Sequence, residues 1–333
     1  MKPIIGPHQR TPEWYALRRN ADDPRFGATD AAVLLGESRY KTPRHLYEEF
    51  IEPPPPLDND AMRLGRHLEP AVQSLYAEVH RKWVVREVPV AIHPNVPLFA
   101  SVDSFTLESA ADPRMRGTLD SGVEDWFQGQ QFPDAADAAD ILEIKTSFSH
   151  AIADQLGEDG TDWVPTEWLC QVQQQMGVLG LPRAVIAVLL FGKLRTFAVD
   201  ANPDIIAGIE KAAVEMRERI LRRDPPELDW RHETTPELVR ALRHDIVGGT
   251  WQADGEAVEL WALQRDLAAE ISTLEKERAI VKAKFEDCMI EHEAATALLP
   301  NGKQVVRRQA SRKGYTVEPK TFWELREMKA RDK

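Results

Sequence analysis

The sequence predicts an α/β protein carrying a helical arm at its C-terminal end. Two observations predict this class. Apolar runs of strand character, at about 83–92, 98–107, 141–145, 184–191 and 194–199, alternate with helix-period segments at about 60–80, 166–179 and 203–222. Beyond the Asp224-Pro225-Pro226 break, a long charged segment of about 256–293 keeps a narrow apolar seam at helical spacing.

Taken in order, residues 11–52 read as short helices joined by turns, with Trp14, Leu17, Leu34, Leu35, Leu46, Tyr47 and Phe50 on their apolar faces. Pro53–Pro56 is a stiff break, since consecutive prolines offer no N–H to any ladder. Asp58 or Asn59 is placed to cap a helix over 60–80, whose expected apolar face is Leu64, Leu68, Val72, Leu75 and Val79. Pro70 should kink or restart that helix. Residues 108–139, rich in Ala, Asp, Gly and Gln, read as a mobile surface insertion. The expected domains are therefore 1–223, a linker with a short helix at 224–253, and 254–333. In the last, Leu260, Leu263, Leu267, Ile271, Leu274, Ala279, Val281, Phe285 and Met289 form the seam. It suits a helical hairpin or coiled coil, or equally a helix packed on its own domain. Pro300–Lys303 reads as a hairpin turn.

Bulk composition excludes some classes. No apolar run reaches the roughly 18 residues that a membrane-spanning helix needs, and the N-terminus lacks the apolar stretch of a secretory signal. Cys170 and Cys288 are too few for a disulfide framework or zinc site, so a reduced, cytoplasmic setting is expected. The net charge of −12 argues at first against nucleic acid, but it is uneven: residues 303–333 carry +6 and the remainder −18. Lys303, Arg307, Arg308, Arg312 and Lys313 are candidates for a phosphate-contacting arm.

The chemistry centres on Glu143-Ile144-Lys145 in the apolar run that starts at Ile141. Strand alternation puts Glu143 and Lys145 on one face and Ile144 on the other. A carboxylate beside an amine suits hydrolysis, the first holding a divalent metal and the second orienting water. Glu-x-Lys also recurs at Glu318-Pro319-Lys320 and Glu327-Met328-Lys329, where no apolar strand precedes it, so the tripeptide alone is weak. Asp103 at a strand end and Glu69 on the 60–80 helix add two carboxylates. Three carboxylates and a lysine make an oxygen-rich site for magnesium or manganese.

With these motifs in their order, the chain resembles the YqaJ-type viral recombinase or phage lambda exonuclease family of the PD-(D/E)XK nuclease superfamily. The resemblance runs from about Glu13 to Arg222. It is carried by Trp14 with Leu17-Arg18, Gly27-Ala28-Thr29-Asp30, Tyr40-Lys41-Thr42-Pro43, and Gly65 with Leu68-Glu69-Pro70. Ala100–Asp103, Leu142–Thr146 and Gln171–Met176 complete it. The resemblance implies a restriction-endonuclease-like core with a mixed central sheet flanked by helices. It implies metal ligation by Glu69, Asp103, Glu143 and the carbonyl of Ile144, with Lys145 at the attacking water and Gln171 supporting the site. Arg18 and Thr29 match residues that hold a terminal 5′-phosphate. Two departures stand out: the stretch between Asp103 and Glu143 is long for the family, and no Tyr follows Gln171 by four residues.

The resulting expectation is a magnesium-dependent deoxyribonuclease, with manganese able to substitute, acting as a 5′-to-3′ exonuclease on double-stranded DNA ends in phage-type recombination. An endonuclease or flap nuclease on the same site is the alternative enzyme. A non-catalytic DNA-binding recombination scaffold is the alternative of another class. The resemblance further implies a trimer and a single-strand annealing protein as partner. Other residues receive plainer readings: Thr29 as a helix N-cap, Gln173–Gln175 at solvent or the core rim, Cys170 as packing, His67 and His150 at the surface. Trp163 and Trp168 flank a loop from which they could stack on bases.

Overall fold

The computed structural model describes residues 2–55, 58–107, 122–125, 131–133, 139–242 and 250–308. They belong to two compact units, Met1–Leu242 and Arg243–Lys333.

The first unit begins with β1 (Ile4–His8), α1 (Pro12–Arg18), β2 (Phe26–Gly27), α2 (Ala31–Leu34), α3 (Pro43–Ile51) and α4 (Asp60–His80). It continues with β3 (Trp83–Arg86), β4 (Pro89–Ile92), β5 (Leu98–Ala100), β6 (Ser104–Leu107), β7 (Gly122–Asp125), β8 (Asp140–Ser147) and α5 (His150–Ala153). It closes with α6 (Thr166–Leu179), β9 (Arg183–Leu190), β10 (Lys193–Asp200), α7 (Pro203–Arg222) and α8 (Thr235–Ala241). A six-stranded sheet has the order β10-β9-β8-β6-β3-β7, and a four-stranded sheet the order β1-β4-β5-β2. The six-stranded sheet is mixed: β8 is parallel to β9, β3 is parallel to β7, and the other pairs are antiparallel. The expected α/β class with a mixed sheet and flanking helices is thus what forms.

The apolar runs at 83–92 and 98–107 each read as one strand in sequence, and each forms two. Glu87 takes a left-handed φ of 58° between β3 and β4, and the chain turns at Ser101–Asp103 between β5 and β6. The first and last of these four strands enter the larger sheet and the middle pair enters the smaller. Both halves of each run are buried, so hydrophobicity carries no mark of the break.

Helix α4 has its expected bounds, and Asn59 caps it by accepting from the N–H of Met62. It runs unbroken through Pro70. Its expected apolar face, however, is rotated. Val72, Gln73, Tyr76 and Ala77 are buried, while Leu64, Leu75 and Val79 are exposed. The packing partners decide this: Val72, Tyr76 and Ala77 cluster with Val84, Leu142, Ile144, Val185 and Ala187 of the sheet.

Gly122–Asp125, inside the stretch read as a surface insertion, forms β7 at the sheet edge. A Cβ on Gly122 would stand 2.3 Å from the Trp83 ring, so only glycine allows that approach. Most of 108–139 lies outside the described residues. The first unit also continues past Asp224: Thr235 and Leu238 are buried, and the His232 ring meets the Ser38 carbonyl at 2.9 Å.

The second unit holds α9 (Gly255–Glu291), capped by the Asp254 side chain, then the hairpin β11 (Thr296–Leu298) and β12 (Gln304–Val306). The hairpin turns at Pro300–Lys303 as expected, with Gly302 at φ 77°. Along the α9 seam, Leu260 through Phe285 are exposed among the described residues and Met289 is buried. Arg312 and Lys313, expected in a basic arm, lie outside the described residues.

Candidate active site

The site is organised by β8. Ile141, Leu142 and Ile144 favour a strand buried on both faces, and β8 lies between antiparallel β6 and parallel β9. Leu142 and Ile144 pack on the α4 side. Alternation then turns Glu143 and Lys145 to the other face, toward α6. Glu143 is only 3% exposed. Its Oε1 accepts from Lys145 Nζ at 2.6 Å and from Gln171 Nε2 at 2.6 Å, and Gln171 Oε1 accepts from the same Nζ at 2.9 Å. Lys145, Glu143 and Gln171 therefore close a hydrogen-bonded ring. The expected trio is brought together.

Asp103 immediately precedes β6, whose ladder with β8 ends at the Ser104–Leu142 pair. One step beyond, Asp103 Oδ2 accepts from the Ile144 N–H at 2.7 Å, so a side chain continues where the backbone ladder stops. The C=O of a strand residue points to the same edge as its N–H, which directs the Ile144 carbonyl to this edge as well. Desolvation, followed by the charges of Glu143 and Glu69, pushes the Asp103 carboxyl well above the usual carboxylate range, against the opposing pull of Lys145 and the Ile144 N–H. Glu69, half-buried on α4, is raised too: desolvation is the largest cause, with Glu143 and Glu87 adding to it and Arg10 opposing.

Glu69 and Asp103 share a cleft of about 140 Å³ with His8, Arg10, Arg66 and Arg86. Among the described residues, no three acidic, histidine or cysteine side chains converge closely enough to ligate one ion as they stand. The geometry gives the reason. The oxygens of Glu143 are engaged by amine and amide donors, and Glu69 is turned to Arg10 at 3.6 Å. The donor set itself, three carboxylates whose charges act on one another beside a strand-edge carbonyl, has the hard-oxygen chemistry that suits a divalent cation.

Sequence reasoning missed the glutamines that follow Gln171. Gln173, Gln174 and Gln175 are not at solvent or the core rim but fully buried. Gln174 Nε2 donates to the carbonyls of Phe26 and Phe99 at 2.9 and 3.0 Å, joining β2 to β5. Gln173 fixes the Asp200–Asn202 corner. Gln175 Nε2 donates to Glu143 Oε2 at 2.8 Å and to the Ser101 carbonyl at 3.2 Å. The signal that could have found it is spacing: Gln171 and Gln175 are one helical turn apart and so share a face.

Arg18 and Thr29 are not among the residues that line this cleft. The Arg18 guanidinium lies 4.7 Å from the Trp14 ring centroid, and burial lowers its pKa. Arg19 instead takes up the acidic neighbours, with Asp30 at 3.0 Å and Glu49 at 2.9 Å. Thr29 is exposed on a short 3-10 turn and does not cap it. Asp30 does, accepting from the Gly27 N–H at 3.1 Å. Trp168 lies beside the site, its ring centroid 5.9 Å from Lys145 Nζ, whereas Trp163 is exposed.

Fold and site together define an α/β protein with an acidic, lysine-containing centre on a central strand of a mixed sheet. The chain belongs to the YqaJ-like viral recombinase domain family, which it matches over residues 13–182. It is 25% identical over 224 residues to the uncharacterized protein YqaJ of Bacillus subtilis, an overlap of 65% of this chain and 59% of that protein's length. Among solved structures it is similar to an alkaline exonuclease, LHK-Exo, from Laribacter hongkongensis (16% identity, TM-score 0.44, 70% of this chain and 98% of that one). It is also similar to a phage-related exonuclease from Haemophilus somnus (10% identity, TM-score 0.39, 60% and 96%). No helix among the described residues is long and apolar enough to cross a membrane.

Proposed function

We propose that this chain is a magnesium-dependent deoxyribonuclease, degrading double-stranded DNA from its ends in the 5′-to-3′ direction during phage-type recombination. The observation that carries this reading is the Lys145–Glu143–Gln171 ring beside an Asp103 tied to the Ile144 N–H. Such a set suits hydrolysis of a phosphodiester better than it suits a structural ion pair. A structural pair gains nothing from two further carboxylates, one of them buried with its pKa raised by desolvation and then by the charges of the others.

Glu69, Asp103, Glu143 and the carbonyl of Ile144 are the residues that would hold the cation, with manganese able to replace magnesium. When bound, the ion supplies Lewis acidity and a more acidic water. Lys145 orients that water and offsets negative charge growing on the phosphate, while Gln171, held to both Lys145 and Glu143, fixes where the amine points. Arg18, stacked on Trp14, and Thr29 are the proposed holders of a terminal 5′-phosphate. A ring-shaped trimer and a single-strand annealing protein are the partners that family resemblance suggests.

The test compares magnesium-dependent digestion of linear and covalently closed circular duplex, with and without a 5′-phosphate. Loss of linear DNA alone, faster with the phosphate, supports the exonuclease. Cleavage of the closed circle would replace it with an endonuclease on the same residues, and binding without any cleavage would leave a scaffold.

A further inference from the structure

The N-terminal segment ends β1 on a conformation that costs energy. Arg10 has φ 68°, in the left-handed region that sterics disfavour for a residue with a Cβ. Its neighbours hold it there. Gln9 Nε2 donates to the Val102 carbonyl at 3.1 Å, Thr11 Oγ1 donates to the His8 carbonyl at 3.0 Å, and Trp14 Nε1 donates to Ser101 Oγ at 3.2 Å. The turn is therefore tied to the Ser101–Asp103 segment that carries a site carboxylate, and it sets Arg10 at the mouth of the cleft.

Three arginines line that cleft, and they differ in what they hold. Arg66 pairs with Asp58 at 2.7 Å and Arg86 with Asp125. Arg10 faces Glu69, a proposed metal ligand, at 3.6 Å, too long for a hydrogen bond, and its side chain is 54% exposed. A divalent cation at Glu69 would compete with this guanidinium for the same carboxylate and repel it. The guanidinium would then lack an anion while pointing into the cleft where the nuclease reading places a phosphodiester.

We propose that Arg10 is a phosphate-binding residue of the site, held in reserve on Glu69 and transferred to a DNA phosphate when a divalent cation takes that carboxylate. This rests on the nuclease reading and adds a residue that no sequence signal marks. It makes Arg10 a competitor of the cation and a partner of the DNA, so its removal should move the two affinities in opposite directions.

The experiment uses the full chain with Arg10→Gly, which removes the side chain and relieves the positive φ, and Arg10→Lys, which keeps the charge. Manganese alone is titrated calorimetrically. Binding of a 5′-phosphorylated duplex is followed by fluorescence anisotropy in calcium over a salt series. Arg10→Gly should bind manganese severalfold more tightly and DNA about tenfold more weakly, with a salt slope smaller by about one. Arg10→Lys should recover part of the DNA affinity, as a charge without the bidentate fork. Weakening of both affinities would mark a structural role and overturn the proposal, as would unchanged DNA binding. A wild-type chain that binds manganese but no duplex would overturn the nuclease reading along with it, whereas equal duplex binding by wild type and Arg10→Gly would remove only Arg10.

Discussion

Gln175 offers the sharpest test of how the site is held. Its amide donates to a nearly inaccessible carboxylate at 2.8 Å and to a main-chain carbonyl at 3.2 Å, while its own Oε1 is buried without a partner among the described residues. A hydrogen bond to a charged group is worth about 1.5–3 kcal/mol and a neutral one about 1, so Gln175→Ala should cost about 2–4 kcal/mol of stability. For a folded unit reaching Leu242, each kcal/mol lowers Tm by roughly 2–4 °C, which predicts a fall of about 5–15 °C. Gln175→Met separates packing from positioning, because it preserves volume and also removes the orphaned Oε1. It should recover part of the lost Tm and none of the activity. Residues that orient metal ligands typically contribute 10–100-fold to activity or metal affinity, so both variants should cleave about 10–100-fold more slowly at saturating DNA. Calorimetric melts and single-turnover cleavage in magnesium read the two effects separately. Wild-type cleavage and metal affinity in Gln175→Met would show that Glu143 is oriented without this amide, and the reasoning would fail.

Glu143→Ala and Lys145→Ala should each abolish cleavage through loss of several kcal/mol of transition-state stabilisation while far-UV circular dichroism stays native; near-normal turnover by either folded variant would displace the proposed centre. Asp103 has a folded-state pKa raised by burial and by Glu143 and Glu69, so its contribution to stability is present at low pH and lost as pH rises through the raised value. Chelated wild type should therefore lose Tm as pH rises above the ordinary carboxylate range, and Asp103→Asn should flatten that loss; parallel curves would refute the coupling. In the second unit, Arg307→Ala with Arg308→Ala should reduce the salt slope of duplex binding by about one for each phosphate no longer neutralised, and an unchanged slope would leave this region without a phosphate-binding role.

What the sequence made legible follows from which signals are local. The bounds of α4 could be read because cap and period coincide: Asn59, a candidate cap in the sequence, accepts from a first-turn N–H. Glu143 and Lys145 could be read because strand alternation is a two-residue rule. The buried face of α4 could not, since Leu64, Leu75 and Val79 are as apolar as Val72 and only the shape of the sheet chooses among them. The glutamines misled for a related reason. A polar side chain predicts exposure unless something inside needs its hydrogen bonds, and the acceptors here lie far away in sequence, 74 residues for Gln175 and Ser101 and 148 for Gln174 and Phe26.

The strand breaks that sequence could not foresee also explain how the site is built. Had 98–107 stayed one strand, Asp103 would sit within a ladder with its neighbours' backbone groups committed to pairing. The turn frees them instead. Gln73 donates to the Asp103 carbonyl, Gln9 to that of Val102, Gln175 to that of Ser101, and Trp14 to the Ser101 hydroxyl. These four side chains come from α4, the N-terminal turn, α6 and α1, so each of those segments is referenced to the same three residues. Arg10 follows Gln9 in the chain, Gln175 also holds Glu143, and Gln73 lies one helical turn after Glu69. The positions of a carboxylate from α4, one from the turn, one from β8 and a guanidinium from the N-terminal turn are thereby coupled through Ser101–Asp103. A substitution that loosens this turn should disturb all four together, even though Ser101 and Val102 carry no chemistry of their own.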